Sequence, residues 1–457
     1  MSYEEIEKKT KEEIENPELT FKREFERDKK KGVHIIAEYL VKKHCFLTIS
    51  GEKNDEFYYY KNGIYLLKAK KLIETEVENI LGELISTHYL NEIVAKVKRM
   101  TLKDREDFEV KDLNLICLNN GILDIKKLKL IPHSPKYLFT SKIPVDFDPE
   151  ADCPEIKKFL SEILHKEDIK VIQEWFGYCL YRRYFLKKAM ILVGEKNSAK
   201  TTILNLLVDF IGQENKAGVP LQHFTARFTS SSLYGKLINV YDELTSKDLV
   251  DVSAFKIAVG NGQMSGEYKF GDRFEFVNFA KLIFACNAVP AITEDDDAFY
   301  DRWIVVRCDN KFEGKNRDTD IGFKISTKKE LSGLLNIALR GLKRIIKHSK
   351  FSYRLDFGDV KKIMERSSSS ISAFCQDELI QQSENWISKS DLFLAYEGYC
   401  NEKSIKKISV LKFSRVLTNY AFYITDGKKG KNRGWRGVAL KKNIPGTIPD
   451  NELIFPE

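Results

Sequence analysis

The sequence predicts an α/β chain of several domains, with a P-loop-type core between an N-terminal α+β region and a C-terminal winged helix. Three observations predict this. The apolar run AMILV, Ala189 to Val193, leads into GEKNSAKT and then into a helical pattern carrying Ile203, Leu206, Leu207 and Phe210. Strands and helices then alternate to about residue 345. The last stretch reads as helix, helix and basic hairpin.

With 457 residues the chain is long enough for roughly two to four domains. Hydrophobic residues make up 43%, enough for buried cores, and 31% charged residues point to a soluble, cytoplasmic protein. No apolar run approaches the roughly 18 residues a membrane span needs. The start, MSYEEIEKKTKEEIEN, mixes both charges and resembles neither a secretory signal nor a transit peptide. The cysteines stand singly, without C-x-x-C or Cys/His clusters, so neither a zinc site nor a disulfide framework is expected.

In order along the chain, residues 1–32 read as a charged, solvated arm or helix. Residues 33–150 mix short strands and helices. EFYYYKNGIYLL places two strands around the Asn62-Gly63 turn, and LICLNNGILDIKKLKLIPH repeats the design around Asn119, Asn120 and Gly121. Residues 151–345 open with a helical lead-in after Pro149 and Pro154 and continue into the core. Residues 346–457 hold RSSSSIS as a soft boundary and then the winged-helix module, with Ser390-Asp391 capping its first helix.

The loop departs from G-x-x-x-x-G-K-[ST] at Ala199 alone. Strand, loop and helix stand in the required order. Gly194, Glu195, Lys196, Asn197, Ser198, Ala199, Lys200, Thr201 and Thr202 form the expected cofactor-binding run, in which backbone N–H groups of residues 196–201 would point at the phosphates, aided by the positive end of the helix. Lys200 would reach the β- and γ-phosphates of ATP, and Thr201 would bind Mg²⁺. If a positive φ is needed at Ala199, its methyl costs on the order of 1 kcal/mol.

A second strand, Leu237 to Tyr241, ends in Asp242-Glu243. Asp242 would hold the metal, and Glu243 would polarise the attacking water as general base. A third, Lys281 to Cys286, ends in Asn287, whose amide can orient that water. In FYDRW, Arg302 can stabilise the transition state across a subunit boundary; its bland alternative is an ion pair with Asp301, Asp295, Asp296 or Asp297.

Charge placement adds a partner. Between Asn401 and Lys442, twelve Lys and Arg face only Glu402 and Asp426, which fits a polyanion. Lys412 and Arg415 would lie on the recognition helix, and Lys428, Lys429, Lys431 and Arg433 would form a wing that reaches phosphates.

GEKNSAKT, VYDE, KLIFACN and FYDRW in this order resemble the superfamily three helicases, more narrowly the helicase half of phage, plasmid and poxvirus-type primase-helicases. NLICLNNGILDIKKLKLIPHSPKYLFTSKIPVDFDPEADCPEIKKFL resembles the domain before that motor, and EWFGYCL its leading helix, so the likeness extends from about residue 35 onward. The resemblance implies an AAA+-like ATPase core, a homo-hexameric ring on single-stranded and forked DNA, and Arg302 acting on the neighbour's nucleotide. It also implies a channel hairpin with Lys269 gripping the DNA backbone, Phe270 and Arg273 beside it, and Lys256 less central. Asp301 departs from relatives that carry a second arginine there.

No H-x-H pair and no primase-type acidic triad or zinc ribbon is evident, so the sequence reads as a stand-alone replicative helicase served by a separate primase or polymerase. A DNA-binding origin protein with a degenerate ATPase scaffold, and a DNA translocase without strand separation, share these motifs.

Overall fold

Among the described residues, five sheets and the helices between them make a mixed α/β protein. The computed structural model describes residues 17–51, 55–104, 112–224, 226, 228–244, 252–267, 273–287, 289, 296–314, 318–403 and 407–441. None of the described helices is long and apolar enough to cross a membrane.

The first unit pairs helices Pro17–Arg27 and Lys29–His44 over β1 (Phe46–Ile49), β2 (Glu56–Lys61), β3 (Ile64–Leu67) and β4 (Leu102–Lys103), with helices Ala69–Leu81 and Thr87–Met100 completing the layer. Here the expected solvated arm needs correction from residue 17 onward. Phe21 and Phe25 are buried against Ile36, Ile73 and Val97, because a Phe at i and i+4 gives even a charged helix one apolar face. Asp28 caps the second helix, accepting from Lys31 N–H at 3.1 Å. Asn62 and Gly63 turn β2 into β3 with φ of 50° and 95°, the left-handed pair a two-residue hairpin needs.

A small antiparallel sheet follows: β5 (Leu115–Leu118), β6 (Gly121–Asp124) and β7 (Lys129–Ile131). It docks on the first unit through Tyr65, whose hydroxyl donates to the Pro135 carbonyl at 2.9 Å.

The central sheet holds β8 (Ala189–Val193), β9 (Lys216–Ala217), β10 (Ile238–Tyr241), β13 (Lys281–Cys286) and β14 (Trp303–Arg307), all parallel in the order β14-β8-β13-β10-β9. Every residue of β8 and β13 is buried, as in a parallel sheet covered on both faces. One cover is helix Lys200–Ile211, whose Phe210 meets Phe176 of helix Lys166–Cys179 at 5.7 Å between rings. Helix Lys328–His348 lies on Lys166–Cys179 so closely that a Cβ at Gly177 would sit 2.2 Å from the Ala338 carbonyl oxygen. Between β10 and β13, β11 (Gln263–Glu267) and β12 (Arg273–Val277) form an antiparallel hairpin. Its expected tip residues Lys269 and Phe270 lie outside the described residues.

Helix Phe357–Ser368 packs on the central core through Val360 and Met364, and the C-terminal unit contains helices Ser370–Glu378, Lys389–Glu402 and Val410–Tyr420, and the antiparallel sheet β15 (Leu379–Ser388), β17 (Asn432–Leu440) and β16 (Thr425–Lys429). Phe374, Leu392, Tyr396, Phe413, Leu417 and Trp435 form its core. One detail differs from the sequence expectation. The cap of helix Lys389–Glu402 is Ser388, which accepts from Asp391 N–H at 3.0 Å, because its hydroxyl reaches the third residue of the first turn. RSSSSIS, expected as a soft boundary, lies where the central core gives way to the C-terminal one and is itself a helix junction: Ser369 caps Ser370–Glu378, and Arg366 pairs with Asp377 at 2.9 Å across it.

Candidate nucleotide site

The loop after β8 sits at the carboxyl ends of the central strands. The chain runs from β8 out to β9, returns through β10 and β13, and crosses to β14 on the far side of β8. The order therefore reverses beside β8, and open parallel sheets offer their ligand crevice there.

Local geometry shapes the loop. Gly194 admits no side chain, since a Cβ would lie 2.3 Å from the Cys308 carbonyl oxygen. Asn197 and Ala199 have φ of 65° and 64°, so the strained position anticipated for Ala199 is occupied by a left-handed alanine. Ser198 Oγ donates to the Glu195 carbonyl at 2.7 Å and closes the turn. Helix Lys200–Ile211 begins at once, and its first-turn N–H groups, which have no intrahelical acceptor, face the ligand side.

Lys200 is 7% exposed. Its ammonium donates to the Gly194 and Glu195 carbonyls, both at 2.7 Å, and to Ser198 Oγ at 3.2 Å. Burial lowers its pKa from the ordinary lysine value. Thr201 Oγ1 donates to Asp242 Oδ2 at 2.7 Å, and Asp242 Oδ1 accepts from Glu243 N–H at 2.9 Å. A hydroxyl and a carboxylate in contact beside a phosphate loop are the hard oxygen pair that Mg²⁺ takes, with phosphates and water filling its other positions. Among the described residues no group of three or more His, Cys, Asp or Glu could hold a metal by itself.

These residues, Asn287 and the loop line a cleft of about 820 Å³. Phe159, Ile163, Phe312, Ile321 and Ile325 also line it, among Glu155, Lys158, Glu162, Asp318 and Lys324, and sequence reasoning did not anticipate them. Phe159 with Ile163 and Ile321 with Ile325 stand four apart on their helices, but the three segments are far apart in sequence and no motif links them. The structure fastens that wall: Phe312 N–H donates to the Asn197 carbonyl at 3.0 Å, and Ser326 Oγ to Asp209 at 2.6 Å. A cleft that combines a cationic loop with polar and apolar lining side chains has the character of a site for a phosphorylated small molecule.

Arg302 lies elsewhere. It directly precedes β14, and its carbonyl accepts from Ala189 N–H at 2.7 Å, at the start of β8. The loop leaves the other end of β8, about 16 Å away at the rise of a strand. The guanidinium donates to the Ala298 carbonyl, while its Nε is buried without a partner. Asp301 instead pairs with Lys188 at 3.3 Å and Asp296 with Lys256 at 2.5 Å, so among the described residues Arg302 has no carboxylate partner. Asp295 lies outside them.

The expected DNA-binding residues fall in two places. Arg273 stands at the start of β12, its Nε donating to Ser265 Oγ at 2.6 Å. Lys412 and Arg415 are exposed on helix Val410–Tyr420, and Lys428, Lys429, Lys431 and Arg433 are exposed at the β16–β17 turn, where Lys428 lies opposite Arg433.

Two family models match the chain: "D5 N terminal like" over residues 22–165, and a family of unknown function (DUF5906) over residues 192–302. No curated protein is significantly similar. Among solved structures, the A-form apo structure of the NrS-1 C-terminal region is similar at 16% identity with a TM-score of 0.47, covering 88% of this chain and 99% of that one. The apo structure of the NrS-1 C-terminal region gives 16% identity and a TM-score of 0.46, with 88% and 98% covered. The first family match ends between the two helices that lead into β8, and the second opens on the strand before the loop and closes on Arg302.

Proposed function

We propose that the chain is an ATP-dependent DNA helicase of the viral or plasmid primase-helicase kind, with an AAA+-like P-loop core and a C-terminal winged helix. The observation that carries this reading is the meeting of Lys200, Thr201 and Asp242 at one cleft on the carboxyl edge of a parallel sheet. The D5 N-terminal-like match over residues 22–165 adds to it, as does the motif order in the sequence.

In this reading a nucleoside triphosphate enters the cleft with its base against Phe159 and Phe312. Its phosphates take over the ammonium of Lys200 from the two loop carbonyls, since a charged acceptor outcompetes neutral ones. Thr201 and Asp242 would hold Mg²⁺, which would supply charge neutralisation for the phosphates. Glu243 accepts a proton from the attacking water, and Asn287 fixes that water's orientation. A second copy brings its own Arg302 to the γ-phosphate, because the arginine of the same chain stands a strand length away. Such copies would form a ring, a hexamer, around single-stranded DNA.

The direct test is ATP turnover with and without single-stranded DNA, for the wild type and Lys200→Ala, followed by unwinding of a forked duplex. Absence of any Lys200-dependent, DNA-stimulated hydrolysis removes the motor reading. Hydrolysis without unwinding leaves a translocase.

A further inference from the structure

Beside the phosphate loop, and sharing Asn287 with the nucleotide cleft, lies a second hollow of about 350 Å³. Arg307, Lys311, Lys362 and Arg366 line it, against Glu195 and Asp309. The cleft itself carries more carboxylates than cations, so the sign of the lining charge reverses across Asn287.

Three of the four cations are held in place by partners. Arg307, at the end of β14, pairs with Asp309 at 3.0 Å. Lys311 pairs with Glu195 of the loop, and Arg366 with Asp377 at 2.9 Å. Lys362 has no carboxylate partner among the described residues. It stands four residues before Arg366 on one face of helix Phe357–Ser368, a like-charge spacing that disfavours a helix unless an anion lies between. From the next helix, Gln376 donates Nε2 to the Lys362 carbonyl at 3.3 Å and also lines the hollow.

We propose that this hollow is a binding site for a tetrahedral oxyanion, inorganic phosphate in the first instance. The volume admits one phosphate with water. The donors come from β14, from the segment after it and from helix Phe357–Ser368, so a seated phosphate ties the central sheet to the helices that carry the C-terminal unit. Its position beside Asn287 suits it to receive the phosphate released in the cleft, a supply that rests on the nucleotide reading; the site itself does not. A terminal phosphate on a nucleic acid offers the same chemistry from another source.

The test is calorimetric titration of the full chain with inorganic phosphate, using the wild type, Lys362→Gln and Lys200→Ala, with thermal unfolding as a check on folding. Lys362 is exposed, so its replacement leaves the fold intact. Saturable binding is expected, weakened about tenfold by Lys362→Gln through removal of one charge-assisted hydrogen bond, and retained in Lys200→Ala. No saturable binding overturns the proposal. So does binding that Lys200→Ala abolishes and Lys362→Gln leaves unchanged, because the phosphate then sits on the loop. ATP titration of the same variants separates the two readings: ATP affinity indifferent to Lys200→Ala sinks the nucleotide site, while phosphate binding sensitive to Lys362→Gln still stands. Comparing 5′-phosphorylated with unphosphorylated oligonucleotide assigns the source. An affinity gain that vanishes in Lys362→Gln marks a nucleic-acid end, and equal affinities mark free phosphate.

Discussion

Thr201 and Asp242 are joined by a 2.7 Å hydrogen bond that links the first turn of the helix after the loop to the tip of β10. Thr201→Val keeps the shape and removes the hydroxyl. It is expected to lower Mg²⁺-dependent ATP turnover by about a hundredfold or more, on the scale of removing one preorganised group from the reacting charge. ATPase rates across a Mg²⁺ titration check this, and an unchanged rate would exclude Thr201 from the metal.

Ala199 adopts φ 64°. Ala199→Gly relieves left-handed strain of about 1 kcal/mol, offset in part by the freer unfolded chain, so thermal unfolding should stay level or rise slightly with ATP binding intact. Ala199→Val forces a branched side chain into the same conformation and is expected to destabilise by about 2 kcal/mol while weakening ATP. A stable, ATP-competent valine variant contradicts the strained loop.

Arg302 and Lys200 belong, in the proposed ring, to one active site built from two copies. Arg302→Ala should abolish turnover yet bind ATP normally. Mixing Arg302→Ala with Lys200→Ala should restore a fraction of the wild-type rate, because some junctions then combine an intact loop with an intact arginine. Steady-state rates of mixtures at several ratios read this out, and a mixture no more active than either parent defeats the shared site.

Lys281, fully buried at the start of β13, donates to the Tyr181 and Phe279 carbonyls at 2.6 and 2.7 Å and lies over the rings of Tyr178 and Tyr184. Burial brings its pKa down to about 7. Between about pH 7 and the ordinary lysine value the unfolded chain binds the extra proton, so this residue's contribution to stability rises with pH in that window and is flat below it. Relative to Lys281→Met, the wild type should gain about 2 kcal/mol from pH 7 to 9. Denaturant unfolding at both pH values measures the difference; a constant gap refutes the shift.

The β16–β17 turn predicts a salt effect. Replacing Lys428, Lys429, Lys431 and Arg433 by alanine touches exposed side chains only. It should weaken single-stranded DNA binding and flatten the slope of log affinity against log salt by up to about one unit for each phosphate left without its cation. Fluorescence anisotropy over a range of salt concentrations shows it.

The parts legible in the sequence were those with short-range grammar. AMILV before GEKNSAKT marked a buried strand and its loop, and Asn62-Gly63 a hairpin. The helix, helix and hairpin order put Lys412 and Arg415 on a helix, and they stand on Val410–Tyr420. What escaped was long-range or shared by neighbours. LIQQSENWIS is polar along most of its length, yet it becomes β15 because β17 supplies its hydrogen bonds and Leu379 and Ile387 give it a core side. Phe21 and Phe25 hid in a charged stretch whose net polarity concealed one apolar stripe. The apolar side chains lining the cleft include Phe159, Phe312 and Ile325, which only the fold brings together.

The backbone bond from Ala189 to Arg302 places the arginine at one end of the strand whose other end launches the phosphate loop. A buried parallel strand neither stretches nor bends readily. In a ring of copies, each β8–β14 pair would therefore behave as a strut. Tilting one protomer's pocket would swing its arginine at the next by the same angle, and firing order could pass around the circle with no hinge or messenger segment between stations.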